Sequence, residues 1–224
     1  MGPSASFLLP LLKQMEIKAL HSVLDRFWEV ASTNDGHSGN LTEQTQGLVR
    51  FVTALPPNAR ILEIGFNCGH SAATMLSTRP DITVLSLDLG SHEYVASAKQ
   101  LIDQTFPGRH DLKLGDSVKT MHEVTGNFDM FFIDGGHEYN TALLDTQNCL
   151  TLARPSDLIV IDDVCSVPHA SWTFGPSQVW REMLHTGCIR LAGQTDFSAD
   201  RGWAWGYPTR IGSKAEDLQQ QGAV

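Results

Sequence analysis

The sequence predicts a doubly wound α/β fold: a mostly parallel seven-stranded sheet with helices on both faces, an antiparallel edge hairpin and an N-terminal helical cap. Three observations carry this expectation. Short apolar runs rich in β-branched residues recur between helical stretches. The runs do not alternate cleanly between apolar and polar, which suits parallel strands covered on both faces. The links are short, so the strand–helix–strand units close with the usual right hand.

In chain order, residues 1–57 read as the helical cap. Its helices are Pro10–Val30 and Leu41–Leu55, joined by the turn-rich link Ser32–Asn40. Residues 58–211 form the sheet domain. Its first five strands are Arg60–Phe66, Thr83–Leu89, Leu112–Leu114, Phe128–Ile133 and Leu158–Asp162. Between them lie helices at Gly69–Thr78, His92–Thr105, Val118–Val124 and Glu138–Ala153. The pattern then changes. Pro176–Thr186 reads as a helix closed by Gly187. Ile189–Ala192 and Trp203–Tyr207 follow as strands joined by the polar link Gly193–Gly202. With no helix between them they pair antiparallel. Residues 212–224 read as a polar tail.

The chain has 224 residues, 42% of them hydrophobic, enough to bury a core and exclude general disorder. Its net charge of -9 argues against a nucleic-acid partner. No apolar run is long enough for a membrane span, and Phe7–Leu12 lacks the basic leader and cleavage site of a signal peptide. Cys68, Cys149, Cys165 and Cys188 form no CxxC pair, so reduced thiols and a cytoplasmic location are expected.

The chemistry concentrates at the ends of the strands. The first strand runs into Glu63-Ile64-Gly65-Phe66-Asn67-Cys68-Gly69-His70-Ser71, a glycine turn into a helix. The pattern ExGxxxG lacks the second glycine that a pyrophosphate needs. A carboxylate here suits a ligand with a positive group, such as an amino-acid ammonium; the alternative is an ordinary glycine turn. Asp88 ends the second strand, 25 residues after Glu63, where it can bind both ribose hydroxyls or merely cap a helix. Asp116 and Ser117 end the third strand, placed to meet an adenine amino group or to start a helix. FDMFFIDGGHEY and LIVIDDV bring Asp134, Asp162 and Asp163 to one sheet edge. Three converging carboxylates repel and call for a hard divalent cation, Mg²⁺ above all, unless one caps a helix or is held protonated.

These residues resemble class I S-adenosylmethionine-dependent methyltransferases, and within them the metal-dependent O-methyltransferases of catechol/caffeoyl-CoA type and of macrocin type. ILEIGFNCGHSA is similar to their first motif, and FDMFFIDGGHEY with Asp162-Asp163 is similar to their metal site. The resemblance implies a Rossmann-like methyltransferase domain over 58–211. It implies that Glu63, Gly65, Phe66, Asn67, Gly69, Ser71, Asp88, Asp116, Ser117 and Asp134 bind the cofactor. It implies Asp134, Asp162 and Asp163 as Mg²⁺ ligands. The catechol-type enzymes carry a lysine base three residues after the first metal aspartate; here that place holds His137. Their third ligand is Asn; here it is Asp163, as in the macrocin type. Both departures point towards sugar or other alcohol acceptors.

The expected reaction is methyl transfer to a hydroxyl of a small molecule, with His137 as base and Asp134 as its rival. His70 is expected to pack on the cofactor or its own helix. His169, Trp172 and Phe174, in a loop over Cys165–Gly175, and Trp28 on the cap are expected to wall the acceptor site or simply to pack. The competing readings are a metal-independent methyltransferase and a non-catalytic cofactor-binding module. The cap helices and exposed edge strands offer a contact for a homodimer.

Overall fold

The structure, a computed structural model, describes residues 5–33 and 42–209, with side chains from residue 13 onward. Most of the Ser32–Asn40 link and the tail 212–224 lie outside the described residues. Helices α1 (Ala5–Glu29) and α2 (Thr42–Ala54) precede an alternating core. The core runs β1 (Arg60–Ile64), α3 (His70–Thr78), β2 (Thr83–Asp88), α4 (Val95–Thr105) and β3 (His110–Leu114). It continues through α5 (Ser117–Thr120), a 3-10 turn, β4 (Met130–Ile133), α6 (Tyr139–Leu152) and β5 (Leu158–Asp162). Helix α7 (Ser171–His185) and strands β6 (Ile189–Ser198) and β7 (Arg201–Pro208) complete it.

The seven strands lie in the order β3-β2-β1-β4-β5-β7-β6. The first five in that order pair parallel, and β7 pairs antiparallel with both β5 and β6. The expected hairpin is therefore present, with its second strand inserted next to the parallel sheet. Pleating sends Ile61, Val84 and Phe132 into one apolar layer with α1–α4. It sends Leu62, Phe131 and Ile159 into the other, against α6 and α7. Both faces are thus covered, as continuous apolar strands require.

Three expectations need correction. Helix α1 starts at Ala5 and α7 at Ser171, well before Pro10 and Pro176. Proline is favoured in a helix's first turn, where its missing N–H costs nothing. Here each lies deeper, and the helix forgoes one main-chain bond instead. Trp172 and Phe174 consequently belong to α7 and not to a loop. The polar link Gly193–Gly202 is also mostly strand: β6 continues to Ser198, with register shifts at Leu191/Gly193 and Asp196/Ser198. Its polarity reflects an edge position, since most of its residues are exposed. The helix expected at Val118–Val124 divides into the short α5 and a 3-10 turn at Met121–Glu123, and the remaining element ends differ from expectation by three residues or fewer.

The cap is seated by close approach. Gly47 of α2 lies on the indole of Trp203, where an added Cβ would stand 2.1 Å from Cζ2. That indole is fixed by Phe197 (centroids 5.0 Å apart) and Phe51 (5.3 Å). Alanine gains about 1 kcal/mol over glycine inside a helix, whereas overpacking a filled core costs about 1–3 kcal/mol. We expect Gly47→Ala to lower the urea unfolding midpoint; a raised midpoint would mean that the cap shifts freely on the sheet.

Candidate functional site

The site lies beyond the carboxyl ends of β1–β5. Gly65 leaves β1 with φ +93°. A Cβ there would stand 1.8 Å from the carbonyl oxygen of Asp134, so only glycine lets the two strand ends pass. Gly65, Phe66, Asn67, Ser71 and Asp134 line one cleft, together with Cys68 and His70. Gly69, with φ +80°, opens α3. Its position under the Phe66 ring leaves no room for a Cβ. Asp88 accepts from the main-chain N–H groups of Asn67 and Gly90, each at 2.7 Å. Each carboxylate oxygen has a further lone pair to offer a hydroxyl.

Glu63 lies beneath this turn and is completely buried. Its two oxygens accept from Ser71 Oγ and Ser86 Oγ, both at 2.5 Å. His110 Nε2 lies 2.9 Å from Ser86 Oγ and its ring stacks on Phe66. Burial, opposed by the two hydroxyls, pushes the Glu63 carboxyl up to about 7. The same burial lowers His110 to about 4, helped by Lys99. The expected first-motif acid is thus an inward-facing group that reaches the cleft through Ser71.

At the ends of β4 and β5, Asp134, His137 and Asp163 each offer a ligand atom, all within 4.8 Å of one another. His137 Nε2 stands 2.9 Å from Asp163 Oδ2. Asp163 adopts φ +57°, a turn that aspartate tolerates better than most residues. Asp162 is engaged elsewhere: its Oδ2 accepts from Gln44 Nε2 of α2 at 2.5 Å. The expected trio of Asp134, Asp162 and Asp163 is therefore drawn close, but His137 takes the third place in the compact group. Burial and mutual repulsion hold the Asp134 and Asp162 carboxyls well above the usual range, with Arg201 acting in the opposite sense. Two oxygen donors plus an imidazole, with surplus negative charge around them, fit a divalent cation.

The third strand divides its expected pair. Asp116 caps α5 by accepting from Val118 N at 3.1 Å, and lies 3.4 Å from Lys119 Nζ. Ser117 Oγ donates to Asp145 Oδ1 at 2.6 Å. Asp145, on α6, is fully buried, and its Oδ2 has no hydrogen-bond partner. An added Cβ on Gly135 would stand 2.9 Å from that oxygen. Burial pushes its carboxyl up to about 6. Neither Asp145 nor Gln44 announced itself in the sequence, because each sits in a helix with nothing local to mark it.

A cavity of about 470 Å³ opens beside the acidic group, lined by His137, Glu138, Tyr139, Ser171, Trp172, Phe174, Gly175 and Gln178. Gly175 brings α7 against the carbonyl of His137, where a Cβ would stand 2.1 Å away. The aromatic wall expected from Trp172 and Phe174 is present, on a helix. His169 lines neither cleft nor cavity. Trp28 packs on the apolar layer of the cap instead. His70 joins the cap to the cleft: Nε2 lies 3.0 Å from Asp25 Oδ1, and its carbonyl lies 3.0 Å from His21 Nε2.

Residues 62–164 match a family model described as a methyltransferase domain. No curated protein matches the chain. Solved structures share its fold. One is the SAH-bound methyltransferase PaMTH1 from Podospora anserina, 15% identical, with TM-score 0.68 over 94% of this chain and 99% of that one. A second is an O-methyltransferase from Bacillus cereus in complex with SAH, 18% identical, TM-score 0.65, covering 87% and 91%. A third is the O-methyltransferase TomG from Streptomyces achromogenes in complex with SAM, 17% identical, TM-score 0.64, covering 88% and 90%. Among the described residues no helix is long and apolar enough to cross a membrane.

The buried carboxyls set a pH dependence. Glu63 and Asp145 have raised values in the fold, so their stabilising contribution is full below the ordinary carboxyl range and is lost as pH rises through about 6 to 7. His110 is depressed, so its contribution is full above the ordinary histidine value and is lost as pH falls towards about 4. Above the ordinary histidine value the His110 contribution is complete, and the raised carboxyls, Asp134 and Asp162 among them, set the slope. We expect the ligand-free protein to melt at a lower temperature at pH 8 than at pH 6.5, and Glu63→Gln to flatten that slope. A melting temperature that rises over this range contradicts the assignment.

Proposed function

We propose that this chain is a methyltransferase that transfers the methyl group of S-adenosylmethionine to a hydroxyl of a small molecule, with Mg²⁺ assisting. The observation that carries the reading is the juxtaposition, at one sheet edge, of the glycine turn after Glu63 and the Asp134–His137–Asp163 group. The cofactor would supply an electrophilic methyl group on a sulfonium, and the cation would supply Lewis acidity towards the acceptor oxygen.

The chain's own residues divide the remaining work. The turn Gly65–Ser71 holds the amino-acid end of the cofactor, with Glu63 beneath it as a negative charge. Asp88 takes the ribose hydroxyls, and the segment Asp116–Ser117 faces the base. Asp134 and Asp163 would hold the cation, joined by Asp162 once it releases Gln44, which leaves His137 to act as the base. The cavity walled by Trp172 and Phe174 receives the acceptor. Alignment of acceptor oxygen and methyl carbon is the main contribution to rate, since an in-line displacement depends on near-attack geometry. His137 accepts the acceptor's proton, and Asp163, 2.9 Å from its Nε2, stabilises the imidazolium that results.

One observation favours a metal-independent variant. The His137–Asp163 pair is a base and its orienting carboxylate, complete in itself, while Asp162 is tied to Gln44. The two readings separate in one assay. With an acceptor found by screening sugars and other alcohols, EDTA should abolish methyl transfer and Mg²⁺ restore it; turnover indifferent to EDTA selects the metal-independent route. His137→Gln should lower the rate by about 10²-fold or more and remove the acidic limb of the pH profile. Cofactor affinity should stay unchanged in that variant. A variant with the wild-type rate and limb rules out His137 as the base.

A further inference from the structure

We infer that Glu182, behind the wall of the cavity beside the acidic group, turns that wall into hydrogen-bond acceptors and so selects an acceptor molecule that carries a protonated amine. The inference rests on the reading above that this cavity receives the acceptor.

The wall is built where α7 meets the start of α6. Gly175 lies against the carbonyl of His137, so α7 approaches with no side chain between. Tyr139 and Gln178 line the cavity, and Glu182 does not. Glu182 nevertheless holds both: Oε2 accepts from the Tyr139 hydroxyl at 2.6 Å, and Oε1 accepts from Gln178 Nε2 at 2.9 Å. The bond to Glu182 raises the Tyr139 phenol to about 12, so its proton stays with the pair.

A phenol hydroxyl has one proton, and a side-chain amide carries its donor and acceptor on opposite sides. With the Tyr139 proton given to Glu182, its oxygen can only accept from a further partner. With Gln178 Nε2 turned to Glu182, Oε1 faces away from it. Glu138 makes no capping bond to α6 and adds a carboxylate to the same lining. The Trp172 donor is spent as well: Nε1 donates to the Asp200 carbonyl at 3.0 Å, so the indole offers its face. Trp172 and Phe174 are 40% and 51% exposed, a large aromatic area at the cavity mouth. Among the described residues no lysine or arginine lines the cavity. Arg181 neighbours Glu182 on α7 but lies outside the lining, and the Arg201 charge acts on Asp134 and Asp162. An ammonium donates in three directions and is attracted to aromatic faces, so this lining suits it. A carboxylate or phosphate would meet like charge and acceptors.

Calorimetric titration of the full chain at pH 7 with benzyl alcohols that differ in charge tests the inference. The probes are 4-(aminomethyl)benzyl alcohol, its neutral counterpart 4-ethylbenzyl alcohol and the anion 4-(hydroxymethyl)benzoate. Wild type should bind the amine at least about tenfold more tightly than the neutral alcohol, and the anion more weakly than either. Trp172→Leu should weaken the amine; an unchanged affinity there places binding elsewhere and overturns the proposal. Glu182→Gln keeps the shape but can donate through its amide, which lets the Tyr139 proton turn to the cavity. The preference for the amine should then fall below about threefold, with the neutral alcohol bound as in wild type. A preference retained in Glu182→Gln, or an equal weakening of all the probes, overturns the role of Glu182. If that variant does not fold, Tyr139→Phe, which removes one acceptor oxygen, decides by the same criterion. A wild-type ratio near one overturns the selectivity and leaves the cavity as the acceptor site. If wild type binds none of the probes, the reading of the cavity itself falls.

Discussion

Mutual repulsion among buried carboxylates at the carboxyl edge of the sheet is the constraint on which the site depends. Asp134 feels Asp162, Asp163 and Glu63; Glu63 and Asp162 are buried, and Asp163 is partly exposed. Parallel topology creates this situation, because every strand delivers its last residue to the same edge. Within the fold Arg201 and His137 offset only part of the charge. The remainder favours cationic ligands, and under the proposed function a sulfonium-bearing cofactor and a divalent cation would both answer it. Without such a ligand, burial and repulsion favour the protonated carboxyls, and a bound cation would take the place of those protons.

The cap is part of that arrangement. Gln44 reaches from α2 to Asp162, and α1 sets His21 and Asp25 on the main chain and side chain of His70. These contacts tie the cap to both the glycine turn after β1 and the acidic group. Gly47 on Trp203 fixes how closely α2 can sit. A shift of the cap would therefore be felt at both ends of the site.

Much of the sheet was legible because its signals are local and strong. Leu158–Asp162 reads as a buried strand from its composition alone, and Gly65 and Gly69 mark a turn that only glycine permits. The convergence of Asp134 and Asp163 followed from topology. The misplaced helix starts at Pro10 and Pro176 share one cause: proline is a good first-turn residue, and nothing local says how much helix precedes it. The polar half of β6 was read as a link because an edge strand needs little apolar side chain. Within the site, the sequence could not show that Asp162 would turn to Gln44, 118 residues away, or that Asp145 would stand under Ser117. Those pairings arise only when helices from separate parts of the chain pack on the sheet.

The most direct test of this account is the melting temperature of wild type and Asp134→Asn against MgCl₂, with NaCl of equal ionic strength as control. Removing one buried charge should make Asp134→Asn more stable than wild type without cation. Mg²⁺ should raise the melting temperature of wild type, in a way NaCl does not, and leave the variant unchanged. A wild type indifferent to Mg²⁺, together with an Asp134→Asn protein less stable than it, would contradict the claim that charge repulsion at the sheet edge organises this site.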